Sequence, residues 1–275
     1  MDCPVCDSGA RYFFRNRETG RVFFRCENCY YIFTTERKLG FEETKAHFKN
    51  QWIERPNGAY PACYTHLYRL MESTGKACQR ALDFGCGNGA FIRFLREKGV
   101  ETFGIDPIPV ESDITSYVYS RLEDLPEERF DVITALEVFE HLERPSDTVS
   151  RLLSYLNENG FIFLTTALTN RALTSIRCFP YWIYQKDPTH VGFFDQRTFE
   201  WMATRFNLEI HTFHHDFVVL DRSFERLIDV EGDRYLFRPE KHSPLVQRRR
   251  SFGNVPAPDT DPSTPSGRDI RDGGS

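Results

Sequence analysis

The segment ALDFGCGNGAFI, residues 81–92, decides the fold of this chain. A short apolar run leads into a loop that contains Gly85, Gly87 and Gly89, and a helix with apolar residues on one face follows. Glycine lets the backbone approach a ligand that a Cβ would exclude, and the start of a helix offers free N–H groups to an anion. The next predicted strand ends at Asp106, about 20 residues on, where a carboxylate can hold two ribose hydroxyls. The segment therefore predicts a nucleoside site at the tip of a β-strand.

Asp83 lies two residues before the first glycine and separates two kinds of ligand. The pattern Gly85-x-Gly87-x-x-Ala90 also fits a relaxed dinucleotide motif, so a nicotinamide-dependent oxidoreductase is one alternative. A carboxylate at this position would repel a pyrophosphate and attract an ammonium or sulfonium group. The neighbourhood favours a positively charged sulfur nucleoside.

Strand-like runs alternate with amphipathic helices from about residue 80 to 222. This alternation predicts an α/β fold with a Rossmann-like doubly wound sheet, mostly parallel, with crossover helices and an antiparallel closing strand. The predicted strands cover residues 80–84, 101–106, 116–119, 130–136 and 160–166, with one or two closing strands between 207 and 219.

The motifs and their order resemble those of the class I S-adenosylmethionine-dependent methyltransferases. The spacing Asp-x-Gly-x-Gly-x-Gly at 83–89, followed by Asp106, is similar to the first motifs of that family. FDVITALEVFEH at 130–141 looks like its fourth-strand motif, and NENGFIFL at 157–164 looks like its turn into the fifth strand. The resemblance covers about residues 80–220 and implies methyl transfer from S-adenosylmethionine.

The same resemblance assigns the cofactor-binding residues at the methionine and ribose end. It implies that Gly85, Gly87 and Gly89 line the loop around the methionine part, that Asp83 lies near the amino group, and that Asp106 binds the ribose hydroxyls.

The adenine end follows the family pattern less closely. The resemblance implies that Pro107 or Ile108 flanks the adenine. The family usually has an acidic residue where this chain has Arg121, so the backbone of Leu122 or the side chain of Glu123 would make the adenine contact instead.

A second group of residues follows the fourth predicted strand. Glu137, Glu140 and His141 are spaced i, i+3, i+4, and His190 comes later, before another helix. The arrangement resembles the metal site of ubiquinone-biosynthesis O-methyltransferases and of small-RNA 3′-terminal ribose 2′-O-methyltransferases. It implies that these four residues bind a divalent ion, Mg²⁺ or Mn²⁺, with His190 and His141 as catalytic residues. The alternative is that Glu140 and His141 cap a helix and that His190 acts as a metal-free general base.

Four of the eight cysteines form two Cys-x-x-Cys pairs at the start of the chain: Cys3, Cys6, Cys26 and Cys29. The residues between the pairs read as a β-hairpin with its turn at 18–20. Two such pairs at the ends of a hairpin can place four thiolates around one Zn²⁺, and four thiolates leave no open position for catalysis. Residues 1–34 are therefore predicted to be a zinc ribbon with a structural zinc ion.

The rest of the chain completes the predicted organisation. Residues 35–78 read as a helical connecting segment that is partly lid-like, 79–245 as the methyltransferase domain, and 246–275 as a disordered tail rich in Pro, Ser, Asp and Gly.

The composition limits the possible locations and partners. The chain has 275 residues, 40% hydrophobic and 27% charged, with a net charge of −5, which argues against a whole-surface nucleic-acid binder. No apolar run approaches the ~18 residues of a membrane span, and the first residues, MDCP, lack signal-peptide features. We therefore expect a cytoplasmic protein with no membrane partner.

The expected function is O-methylation of a small molecule or of an RNA-end ribose. The alternative is a binding or scaffold protein, in which the ribbon contacts a nucleic acid or a protein and the cofactor domain is vestigial. Arginines and aromatic residues that could stack on a single strand interleave on the ribbon: Arg11, Tyr12, Phe14, Arg15 and Arg25. The same residues could equally pack the ribbon against its own chain.

Overall fold

The computed structural model describes residues 1–36, 39–54, 61–73, 78–108, 113–126, 129–213 and 217–221. All of them belong to one compact unit, Met1–Phe237. The predicted tail at 246–275 lies outside the described residues, so its disorder stays a prediction.

The chain forms eleven described strands, six helices and several short 3₁₀ turns. The strands are β1 (Ala10–Arg15), β2 (Val22–Cys26), β3 (Ile32–Phe33), β4 (Arg80–Phe84), β5 (Glu101–Ile105), β6 (Val118–Tyr119), β7 (Phe130–Leu136), β8 (Leu156–Thr165), β9 (Gly192–Phe193), β10 (Glu209–Phe213) and β11 (Phe217–Asp221). The helices are α1 (Phe41–Glu54), α2 (Pro61–Ser73), α3 (Ala90–Glu97), α4 (Pro145–Ser154), α5 (Thr169–Ala172) and α6 (Gln196–Phe206). The 3₁₀ turns cover Thr115–Tyr117, Leu122–Asp124, Phe139–His141, Ile176–Tyr181 and Ile183–Lys186.

The larger sheet has seven strands in the order β10-β11-β8-β7-β4-β5-β6. Strand β4 pairs in parallel with β5 and β7, β6 extends one side in parallel and β8 the other. Strand β11 is antiparallel to both β8 and β10. This order confirms the predicted doubly wound α/β fold with an antiparallel closing strand.

Alternate residues of the buried strands face two separate apolar layers, as side chains on a pleated strand must. Leu82 and Ile133 pack in one cluster with residues of α4 and α6. Their neighbours Ala81 and Val132 pack in the other with residues of α2 and α3. Helices therefore cover both faces, which is the arrangement expected of a parallel sheet whose strands are apolar throughout.

The smaller sheet has four strands in the order β1-β2-β3-β9. Its hairpin pairs Ala10 with Cys26 and Arg15 with Val22. Strand β3 then pairs antiparallel with β9, with Ile32 opposite Phe193. The predicted ribbon is thus completed by a strand from far along the chain. None of the helices among the described residues has the length and apolarity that crossing a bilayer requires.

Candidate functional site

The glycine loop joins the carboxyl end of β4 to the first turn of α3. Strand β4 lies where the strand order reverses, because β5 and β6 extend the sheet on one side and the remaining strands on the other. Open parallel sheets bind their ligands in the crevice at such a point. Gly85, Gly87 and Gly89 have φ values of 76°, 54° and 73°, a region that glycine adopts without strain. The loop conformation therefore depends on glycine at all three positions.

Protein side chains also pack closely over this loop. A Cβ at Gly85 would lie 2.4 Å from Cγ2 of Val138, and a Cβ at Gly89 would lie 1.8 Å from Cδ1 of Ile114. The sequence pattern indicates that these glycines allow a ligand to approach the loop. The structure shows a second reason for glycine at positions 85 and 89, because Val138 and Ile114 occupy the space that a Cβ would need.

Two buried carboxylates bracket the glycine loop. Asp83 accepts a hydrogen bond from the Thr134 hydroxyl at 2.7 Å, and burial raises the pKa of Asp83 to about 7. Asp106 accepts backbone N–H bonds from Gly87 at 2.9 Å and Ile108 at 2.8 Å, and burial raises its pKa to about 6. Buried carboxylates of this kind favour a ligand that supplies positive charge or hydroxyl donors.

The four residues predicted near the adenine lie in different surroundings. Ile108 is buried. Pro107 is exposed. Leu122 is buried, and its carbonyl oxygen accepts a hydrogen bond from the Tyr155 hydroxyl at 3.0 Å. The carboxylate of Glu123 forms an exposed ion pair with Arg151 on α4. A role for Glu123 in ligand binding would require its carboxylate to leave Arg151.

Three of the four residues predicted to bind a divalent ion lie together, and we name Glu140, His141 and His190 the mixed cluster. One ligand-type atom from each lies within 4.8 Å of the others. Glu140 and His141 belong to the 3₁₀ turn after β7, and His190 precedes β9. Since β7 neighbours β4, the mixed cluster and the glycine loop lie at the same end of adjacent strands.

Backbone carbonyls orient both imidazoles of the mixed cluster. Nδ1 of His190 lies 2.9 Å from the carbonyl oxygen of Tyr184, and Nδ1 of His141 lies 3.2 Å from that of Thr189. A carbonyl only accepts, so Nδ1 carries a hydrogen in both rings, and in a neutral ring Nε2 then keeps its lone pair. Burial and the neighbouring His141 lower the pKa of His190 to about 4, so this ring is neutral at neutral pH.

The two glutamates differ in their surroundings. Neither oxygen of Glu140 accepts a hydrogen bond of good geometry from the part of the chain that the structure describes, and burial raises the pKa of Glu140 to about 7. Glu137 lies outside the mixed cluster, where its Oε2 accepts a hydrogen bond from the Tyr184 hydroxyl at 3.3 Å. Both glutamates interact with Tyr184, but Glu137 is not part of the group of ligand atoms that lie within 4.8 Å of one another. Glu137 has a left-handed φ of 55°.

The four cysteines of the predicted ribbon form one group, which we name the cysteine cluster. Sγ of Cys3 lies 3.6 Å from Sγ of Cys29, and Sγ of Cys6 lies 3.4 Å from Sγ of Cys26. All four sulfurs lie within 4.8 Å of one another. Sulfurs placed ~2.3 Å from a tetrahedral zinc ion are about 3.8 Å apart, so the group fits such an ion.

The ribbon uses some of its predicted nucleic-acid-binding side chains internally. Phe14 packs against the aromatic core of the ribbon. The guanidinium of Arg25 stacks on Tyr30 at 4.6 Å from the ring centre. Three of the five remain exposed: Arg11, Tyr12 and Arg15. Phe14 and Arg25 are thus used for packing, while Arg11, Tyr12 and Arg15 remain accessible.

Aromatic side chains surround the mixed cluster. Two aromatic residues of the stretch 179–184 have different places. Phe179 is buried, and the ring centre of Tyr184 lies 4.2 Å from that of His190. Phe48 of α1 meets His141 edge-on at 5.2 Å, a contact that the sequence analysis missed. Nothing in an amphipathic helix pattern distinguishes an aromatic residue at a site from one in the core.

Comparison with known proteins bears on the whole arrangement. A family model described as "Methyltransferase domain" matches residues 46–212, more than half of the chain. This match confirms the family predicted from the glycine motif.

Individual relatives align over shorter stretches. The mitochondrial ubiquinone biosynthesis O-methyltransferase of Candida albicans is 35% identical over 103 residues, which cover 31% of this chain and 31% of that protein. The ubiquinone biosynthesis O-methyltransferase of Pseudomonas aeruginosa strain LESB58 is 31% identical over 113 residues, covering 36% of this chain and 49% of that protein. The chain thus spans at most about half of either relative.

Among solved structures, an S-adenosylmethionine-dependent methyltransferase from Archaeoglobus fulgidus has 19% identity and a TM-score of 0.47. The alignment covers 64% of this chain and 99% of that protein. The fold assignment therefore rests on the strand order and the family match.

Proposed function

The chain belongs to the methyltransferase-domain family, and from that premise we propose that it transfers a methyl group from S-adenosylmethionine to an oxygen atom of a small molecule or a terminal ribose. The observation that carries this proposal is the glycine loop at the reversal of strand order, bracketed by buried Asp83 and Asp106. The mixed cluster at the end of the neighbouring strand supports an oxygen acceptor.

The residues around the loop fit the methyl donor. Among the described residues, no lysine, arginine or histidine forms an ion pair with Asp83 or Asp106, so both carboxylates are available to a cationic ligand. We assign Asp83 to the amino group, Asp106 to the ribose hydroxyls, and Gly85, Gly87 and Gly89 to the loop that bends around the methionine part. Pro107 and the backbone of Leu122 would flank the adenine.

The mixed cluster fits a divalent ion such as Mg²⁺ or Mn²⁺. Glu140 offers a buried carboxylate without a hydrogen-bond donor of good geometry among the described residues, and both imidazoles present Nε2. Carbonyls that hold Nδ1–H are the usual outer partners of histidine ligands. When bound, the ion would supply a Lewis acid that lowers the pKa of an acceptor hydroxyl.

The side chains of this protein would then position the acceptor and exclude water. Transfer breaks the carbon–sulfur bond of the sulfonium and forms a carbon–oxygen bond, while the hydroxyl loses its proton. Where no ion is bound, the Nε2 lone pairs of His141 and His190 can take this proton; where Nε2 holds the ion, the proton would leave to solvent. Phe48 and Tyr184 line the same cluster with apolar surface, and alignment of the reacting atoms is worth up to ~10 kcal/mol in favourable cases.

We assign a structural zinc ion to the cysteine cluster. The support is the close grouping of four sulfurs, three of them fully buried, in a set that leaves no open coordination position. We also propose the domain limits given by the sequence: the zinc ribbon at 1–34, the connecting segment at 35–78, the methyltransferase domain at 79–245 and the tail at 246–275.

Methyl-labelled S-adenosylmethionine tests the proposed function. The purified chain is incubated with catechols, sugars and RNA 3′ ends, and label in the product is counted. We expect transfer to one class of vicinal hydroxyl, with loss of turnover on brief EDTA treatment and recovery with Mg²⁺ or Mn²⁺.

Matched variants show whether turnover depends on the mixed cluster. His190→Gln should abolish transfer, whereas Glu158→Gln, an exposed residue of β8, should leave it unchanged. Full turnover in EDTA, with zinc still bound to the cysteine cluster, would remove the divalent ion from the proposal and keep the imidazoles as metal-free bases.

A further inference from the structure

Arg21 of the ribbon is completely buried although it is a charged residue of a hairpin. Its Nη1 atom donates hydrogen bonds to the carbonyl oxygens of Gln185 at 3.1 Å and Asp187 at 2.7 Å. Its Nη2 atom donates to the carbonyl oxygen of His190. One planar guanidinium therefore holds three carbonyls of the segment that ends at His190. Planar donors fix the directions of the groups that accept from them.

The residues after His190 are held by the ribbon and by the mixed cluster at once. The backbone N–H of Val191 donates to the carbonyl oxygen of Glu140 at 2.7 Å. The carbonyl oxygen of Val191 accepts from the backbone N–H of Thr34 at 3.0 Å. Strand β9 then pairs with β3. Residues 191–193 thus form a bridge between the ribbon and the turn that carries Glu140.

Side chains of the ribbon close the remaining space around this bridge. A Cβ at Gly192 would lie 1.8 Å from the hydroxyl oxygen of Tyr31, so the two groups are in direct contact. The amide of Asn16 donates to the Gln185 side chain at 3.1 Å. Phe23 packs edge-on against Phe193. Ribbon residues therefore contact the segment before and after His190.

We propose that Arg21 is a positioning residue for His190, so that the ribbon acts as a structural part of the methyl-transfer site within its own chain. This rests on the proposed function, which gives His190 its role. With its carbonyls turned to Arg21, the segment 185–190 places Nδ1–H of His190 against the carbonyl of Tyr184. Loss of the guanidinium releases these carbonyls, and the ring loses its fixed tautomer and direction.

Two variants and a matched control separate positioning from general stability. Arg21→Met removes all the donors at similar length, and Arg21→Lys keeps the charge without the planar fork. Arg15→Met is the control, because Arg15 is exposed on the same hairpin. Two readouts are compared: hydrogen exchange of peptides covering 185–193 and 81–92, and the Nδ1–H signal of His190 in long-range ¹H–¹⁵N spectra.

We expect Arg21→Met to speed exchange in 185–193 at least tenfold and to remove the Nδ1–H signal of His190. Exchange in 81–92 and the affinity for S-adenosylhomocysteine should stay within twofold of the parent chain. Arg21→Lys should give an intermediate change, and Arg15→Met none.

An unchanged Nδ1–H signal in Arg21→Met, or equal acceleration in 185–193 and 81–92, would overturn the proposal. Should Arg21→Met fail to fold, Arg21→Lys is judged by the same two criteria. Neither readout needs turnover. A chain that shows the expected changes but transfers no methyl group would therefore contradict the proposed function and leave the positioning of His190 intact.

Discussion

The cysteine cluster and the mixed cluster are built in opposite ways. The first unites two Cys-x-x-Cys pairs at the two ends of one hairpin, and its four sulfurs can complete a tetrahedral coordination sphere. The second unites a turn after β7 with a residue from before β9, and it offers one carboxylate and two imidazoles. Three ligands leave coordination positions for a substrate, so the proposed function gives a structural role to the first cluster and a chemical role to the second.

The two clusters are also connected. Strand β3 lies just after the cysteines and pairs with β9, which follows His190. If the cysteine cluster supports the mixed cluster through this pairing, the effects of substitution should be asymmetric. A change in the cysteine cluster should alter the structure of the mixed cluster, whereas a change in the mixed cluster should have only local effects.

The largest effect is expected from Cys26→Ser. The variant should lose bound zinc and lower the melting temperature by roughly 10 °C or more, because a structural zinc site contributes several kcal/mol to folding. Zinc content by mass spectrometry and a thermal melt measure both. Cys178→Ser, a change at a cysteine outside the cluster, should alter neither. A zinc-free Cys26→Ser protein with parental stability would break the contrast between the clusters.

A smaller and more local effect is expected from Glu140→Gln. Loss of the carboxylate should weaken Mn²⁺ binding by at least about 100-fold, measured by paramagnetic resonance of free Mn²⁺. Without metal, removal of a buried charge should raise stability by about 1 kcal/mol, or roughly 2–4 °C. A fall in metal-free stability would instead indicate that Glu140 serves as a structural cap, and Glu158→Gln provides the unaffected control.

Local patterns made part of this arrangement predictable. The glycine loop, Asp106 and the cysteine pairs each lie within short sequence windows whose backbone geometry follows from residue type. The strand order follows from alternating strands and helices together with the rules of crossover connections. These features account for the confirmed fold and family.

Long-range packing made the rest unpredictable. The pairing of β3 with β9 depends on two short strands with almost no pattern of their own. A hairpin arginine gives no sign that it will be buried, as Arg21 is, since most arginines are exposed. The spacing predicts that Glu137 belongs to the mixed cluster, but the structure places it outside. Its left-handed φ is a conformation that non-glycine sequences seldom reveal.

The smallest effect concerns the pH dependence of ligand binding by the two carboxylates beside the glycine loop. Burial raises the pKa of Asp83 to about 7 and that of Asp106 to about 6, so both gain protons as the pH falls. Only the ionised forms attract a cationic ligand. Affinity for S-adenosylmethionine should therefore fall at least about 30-fold between about pH 8 and pH 5.5, as measured by calorimetry.

The unliganded fold responds in the opposite direction. Because the folded protein binds these protons more tightly than the unfolded chain, its stability should decrease as pH rises from about 4 to about 7. Asp83→Asn should flatten both profiles. An affinity for S-adenosylmethionine that is constant across this range would contradict the assignment of Asp83 and Asp106 to the methyl donor.

Calorimetric titration with S-adenosylhomocysteine is the sharpest test of the proposed cofactor site at the glycine loop, because it needs no methyl acceptor. We expect one bound molecule per chain and at least a tenfold loss of affinity in Asp106→Asn, since hydrogen bonds to a charged group are worth about 1.5–3 kcal/mol. The absence of binding heat at millimolar ligand, in a folded and zinc-loaded protein, would contradict the proposed cofactor site.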